Sequence, residues 1–66
     1  MNNVTENIQK CRKYIEENNL ENFYLAITND SAFDDPYQGI KIAEYHKELG
    51  NSSYMSIEEF IEQFNI

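Results

Sequence analysis

The sequence predicts a small all-α protein, a bundle of three to four short helices with room for one short strand or hairpin. Three observations carry that expectation: apolar residues recur at three- and four-residue intervals, capping signals stand ahead of those runs, and the breaks between them are rich in Asn, Asp, Ser and Gly. The 66 residues are material for one domain, expected to divide into an N-terminal helical hairpin over residues 1–28 and an acidic helical half over 34–66. A chain of this length buries only about 60% of its extended surface. Its stability margin is therefore small, and a partner or a second copy would add to it.

The first helix is expected over residues 4–17, where Val4, Ile8, Cys11 and Ile15 form a narrow apolar stripe. Asn3 is its candidate cap, with Glu6 at the capping-box position. Asn18 and Asn19 interrupt the pattern, and Leu20, Phe23, Tyr24 and Ile27 restart it as a second short helix. The aromatic and β-branched content of "FYLAIT" leaves a strand at residues 22–28 as the alternative, and another around Tyr54.

"TNDSAFDDP", residues 28–36, reads as turn chemistry that separates the halves. Asp35 then offers an N-cap, Pro36 a first helical position and Gln38 a capping-box partner, so a third helix is expected from Pro36 to Leu49. Ile42, Tyr45 and Leu49 share its apolar face, Gly39 costs it about 1 kcal/mol, and Gly50 stops it. The closing segment carries the strongest local signal. Ser56 is the cap, Glu59 its box partner, and Met55 and Phe60 occupy the hydrophobic-staple positions; Ile57, Phe60, Ile61 and Phe64 form one apolar face with Glu58 and Glu62 outside it.

Twelve acidic residues oppose five basic ones, a net charge of −7. Residues 1–33 carry three cations against five acids, net −2, and residues 34–66 carry two against seven, net −5. Such a surface repels phosphate, so direct nucleic-acid binding is not expected and a basic protein surface is the expected partner. A single cysteine, no stretch with the pattern of a signal peptide and no apolar run near the roughly 20 residues of a membrane span lead to the expectation of a cytoplasmic protein without membrane contact.

No catalytic or cofactor-binding constellation emerges, and the chain is not expected to be an enzyme or to hold a metal. Cys11 sits on an apolar stripe, where a small core residue is the simpler reading than a reactive thiol with basic neighbours. His46 has no second histidine to share a metal. Calcium-loop spacing fails from either acidic start: from Asp30 the sixth position is Asp35, and from Asp34 the third is Pro36. What remains is aromatic surface. Five tyrosines and four phenylalanines either fill a compact core or, as Tyr37, Tyr45, Tyr54, Phe60 and Phe64, anchor an interface rimmed by carboxylates.

The second half resembles the toxin-binding region of small bacterial antitoxins of the RelB and ParD type. The matching pieces are Asp34 and Asp35, the run Ala43-Glu44-Tyr45, the segment Tyr54-Met55-Ser56-Ile57-Glu58-Glu59 and the close from Phe60 to Ile66. The resemblance implies an acidic, amphipathic C-terminal half that neutralises a basic toxin by docking a helix in a groove. That family's N-terminal ribbon-helix-helix unit reads DNA through a strand, and here only Met1 to Asn3 lead into the helix that starts at Val4, too few for that strand. On this reading apolar contact falls to Tyr45, Tyr54, Met55, Ile57, Phe60, Ile61 and Phe64, and charge complementarity to Glu44, Glu48, Glu58, Glu59 and Glu62.

Two other readings fit the same charge. One is a phage-encoded anti-defence inhibitor, an anti-CRISPR protein or DNA mimic that occupies the basic channel of a nucleic-acid-binding enzyme with rows such as Glu44 and Glu48 or Glu58 and Glu62. The other is a small structural or regulatory homodimer built on its aromatics. The two inhibitor readings separate on rigidity, since an antitoxin arm is loose until bound and a mimic is folded alone.

Overall fold

The computed structural model describes residues 3–28 and 35–66, and it is α+β, not all-α. In chain order it has helix α1 (Val4–Glu17), strands β1 (Phe23–Ile27), β2 (Ile40–His46) and β3 (Asn51–Met55), and helix α2 (Ile57–Phe64). The strands form one antiparallel sheet in the order β1-β2-β3, with Leu25 opposite Ile42 and Ile42 opposite Met55. Both helices pack on the face that carries those three side chains.

Helix α1 takes the bounds its periodicity predicts, and Cys11 is the fully buried residue of its stripe. Its start departs from expectation, because Asn3 makes no side-chain cap bond. The helix ends where Asn18 returns its N–H to the Tyr14 carbonyl and Asn19 adopts a left-handed φ of 53°.

The expected second helix is a strand. Leu20, Phe23, Tyr24 and Ile27 satisfy a helical spacing, but Phe23, Leu25 and Ile27 also satisfy the two-residue repeat, and in a segment of aromatic and β-branched residues the sheet prevails. The expected third helix is likewise replaced. Asp35 does cap backbone N–H groups, accepting from Tyr37 and Gly39 at 2.9 Å each. The turn cannot propagate, since Gln38 and Gly39 stand at φ 52° and 86°. Gly39 then accepts at its carbonyl from both the backbone N–H and the hydroxyl of Thr28, which ties the start of β2 to the end of β1. The expected turn at 28–36 otherwise falls largely on residues 29–34, outside the described residues.

Gly50 stops a turn and not a helix. Its N–H bonds the His46 carbonyl at 2.8 Å and its φ is 68°, which closes the four-residue connection of the β2–β3 hairpin. Across that hairpin His46 Nε2 lies 2.7 Å from the Ser53 hydroxyl, so the imidazole is engaged in the sheet.

Helix α2 begins as the sequence predicts, with Ser56 Oγ accepting from the Glu59 N–H at 3.0 Å and Asn65 closing the far end in the left-handed conformation. Its apolar face completes the core. Cys11, Tyr37, Ile42, Ile57 and Phe60 form the central cluster, with Met55, Ile61, Phe64 and Ile66 packed against it. Phe60 meets Tyr14 of α1 and Phe23 of β1 edge-on at 6.0 and 5.7 Å, and Phe64 lies 4.5 Å from Phe60. Truncating such an aromatic costs about 3–5 kcal/mol, comparable to what a single core of this size supplies in total. The final helix is thus a wall of the core.

Candidate protein-docking surface

Strand alternation decides what the other face of the sheet displays. Ile40, Ile42 and Met55 turn toward the helices, so Tyr24 and Ala26 of β1, Lys41, Ala43 and Tyr45 of β2, and Ser52 and Tyr54 of β3 turn away. No described element covers that side. Tyr24, Tyr45 and Tyr54 are 44%, 45% and 55% exposed, which makes three of the molecule's exposed large apolar side chains neighbours on one flat surface.

The register explains how these rings are held. Ala43 stands between Tyr24 and Tyr54 in one cross-strand row, and Tyr45 faces Ser52 in the next. The Tyr24 hydroxyl lies 3.0 Å from the Ser52 hydroxyl, although their strands are separated by β2 and hence by about 10 Å of sheet. The Tyr24 ring must therefore cross β2 diagonally, over the gap that the small Ala43 leaves. That crossing accounts for an alanine that is 0% exposed on a face with no second layer. The result is a Tyr24 ring tied across the middle strand, with Tyr45 and Tyr54 beside it.

At the end of the sheet near the β2–β3 turn the surface becomes acidic. Asn22, Glu44, Tyr45, His46, Lys47, Glu48 and Leu49 line an open hollow of about 370 Å³. Asn22 Nδ2 donates to Glu44 Oε2 at 3.4 Å and holds that carboxylate at the rim. Leu49, 72% exposed, supplies the hollow's apolar lip.

The residues expected from the sequence separate into two groups. Glu44, Tyr45 and Glu48 come together at this hollow, with Tyr54 on the adjoining sheet face. Ile57 and Phe60 lie in the core at 0% exposure, Tyr37 is buried with its hydroxyl accepting from Asn7 Nδ2 at 2.9 Å, and Met55, Ile61 and Phe64 are half-buried against the same core. Glu58, Glu59 and Glu62 are exposed on α2, where Glu59 and Glu62 with Gln63 bound a separate shallow hollow. Tyr24 and Ser52 are the members that sequence reasoning misses. The alternation of Phe23, Tyr24 and Leu25 is their signal, and a helical assignment of that segment conceals it.

Chemically, the face offers π surfaces, hydroxyls and carboxylates. Among the described residues no three His, Cys, Asp or Glu side chains are grouped to hold a metal ion, and none of the helices is long and apolar enough to cross a membrane. Comparison with protein-family models, with curated proteins and with solved structures finds no match for the chain.

Proposed function

We propose that this chain is a small acidic protein-binding inhibitor that neutralises a basic protein partner through a preformed surface. The observation that carries the reading is the uncovered sheet face, with three half-exposed tyrosines leading into the hollow that Glu44 and Glu48 line. Aromatic residues with few competing charges at the centre and polar groups at the rim are the composition of a protein interface. Packing of Ile57 and Phe60 into the core favours docking by a folded surface over docking by an antitoxin arm that orders on contact. A nucleic-acid-binding enzyme is the second reading for the partner, favoured by Glu58 and Glu62, which stand exposed one turn apart on α2 in the manner of paired phosphates.

Affinity capture from extracts of the source cell tests the proposal. The bait is the chain itself, against a variant carrying Tyr45→Ala, Glu44→Lys and Glu48→Lys. The expected result is a basic protein retained by the natural chain, lost with the variant, and reduced in its own activity when the chain is added back. Identical captured sets, or an activity the chain leaves untouched, would reject the inhibitor reading.

A further inference from the structure

The tyrosine face of the sheet has chemistry that separates one cation from another. Tyr24 is pinned across β2 by the Ser52 hydroxyl, Ala43 beneath it admits no competing side chain, and Tyr45 and Tyr54 stand on either side with about half their surface free. Tyr45 and Glu48 line the adjoining hollow, whose far wall is Glu44, a side chain that strand alternation turns to the helix side with Ile42. The turn after α1 adds Glu21 at this end of the sheet, and the end of α1 adds Glu16 and Glu17 on the helix side; the cations nearby are Lys47 in the β2–β3 connection and Arg12, which lines a hollow with Glu16 and Tyr24. The end of α1 there has no basic residue in its last turn, so its carbonyl dipoles add to the negative field.

We propose that this face is a docking surface for an arginine-bearing segment of a basic protein, with a guanidinium stacked on the tyrosine surface and paired with the Glu48 carboxylate of the adjoining hollow. The proposal rests on the reading that the partner is a basic protein, and it names the side chain recognised. A guanidinium is planar, weakly hydrated and forked, so it stacks on an aromatic face while donating in plane to a carboxylate, whereas an ammonium is a compact, strongly hydrated point charge. A ring with acid groups nearby complements the first more fully than the second, which it attracts by charge but cannot stack.

Other occupants fit less well. A second copy would bring two chains of charge −7 together. Exposed aromatics on a sheet also suit unstacked nucleobases, but a net charge of −7 opposes the phosphates that would accompany them.

The test uses amide and aromatic-ring NMR of the intact protein, titrated at low salt with a capped decapeptide of alternating glycine and arginine, with its lysine twin, and with single-stranded oligothymidine. The arginine peptide is expected to shift Tyr24, Tyr45, Tyr54 and the Glu44–Glu48 segment, and to bind about threefold more tightly than the lysine peptide for each stacked guanidinium. Tyr24→Leu keeps the apolar bulk and should abolish that preference, and Ser52→Ala, which frees the ring, should reduce it; the natural amide pattern elsewhere certifies each fold. Equal affinity for both peptides, with shifts confined to glutamates, would overturn the arginine assignment and leave the basic-partner reading standing. No shift with either peptide would reject both. Preferential shifts with oligothymidine, or concentration-dependent shifts of the protein alone at the three tyrosines, would assign the face to nucleic acid or to a second copy and overturn the proposal.

Discussion

Cys11 shows how little of a residue's reactivity its neighbours in sequence decide. Lys10, Arg12 and Lys13 surround it along the chain, yet its thiol points into the core and donates to the Ile57 carbonyl at 3.8 Å, an interaction that spans 46 positions. Burial pushes the thiol up from 9.0 to about 11, and the Lys10 charge only partly opposes the rise. The ionised form belongs to the unfolded chain. Its contribution to stability is therefore complete below pH 9 and is lost as the pH climbs from about 9 toward about 11. Denaturant midpoints measured across that window should fall more steeply for the natural chain than for Cys11→Ala, and a thiol-reactive dye should label the native protein only as fast as it opens. Rapid labelling at neutral pH in native buffer would contradict the burial.

The turn that starts at Asp35 shows the same logic for an element. Its carboxylate accepts from the Gly39 and Tyr37 N–H groups, and those bonds hold it below its ordinary value of 3.8. The stabilisation is present above that value and disappears as the pH falls through the lowered one. Asp35→Ala should thus be less stable than the natural chain at neutral pH, with the gap narrowing in acid, as thermal unfolding at a series of pH values would show. A gap independent of pH would remove the carboxylate from the account. This turn also marks where reading the sequence succeeds and fails. Both helices are legible because periodicity and caps are local: α1 follows the Val4-to-Ile15 stripe, and α2 follows Ser56 with Glu59. The cap chemistry of Asp35 is legible as well, but the course of the chain beyond it is decided by two left-handed residues and by strand partners far away in sequence. Ile42, Tyr45 and Leu49 satisfy a helical repeat as fully as Ile40 and Ile42 satisfy a strand repeat. Glu44, Tyr45, Glu48 and Tyr54 are legible as exposed or half-exposed residues by type alone, and the fold brings the first three to one hollow. Tyr24 is not, because its place on the open face depends on pairing with Ala43.

As a whole the molecule is a two-layer sheet-and-helix sandwich with Phe23, Phe60 and Phe64 on the inner side and Tyr24, Tyr45 and Tyr54 on the outer one. The net charge of −7 surrounds that aromatic face with a field that acts at a distance. Association with a basic partner should accelerate as salt is lowered, while truncation of Tyr45 or Tyr54 should show mainly in the dissociation rate. Stopped-flow or surface-binding kinetics at several ionic strengths would check this, and an association rate insensitive to salt would count against the charge. The meeting of α1 and α2 has a further consequence for how the protein is made. Tyr14 lies 6.0 Å from Phe60 and 5.3 Å from Phe64, so a helix synthesised early finds its packing partner in one synthesised late. Until Phe64 has emerged from the ribosomal exit tunnel, the nascent chain carries an unsealed core, and the tyrosine surface has no rigid sheet to stand on. Folding, and with it any competence to bind, therefore waits on the arrival of α2 and is completed by it.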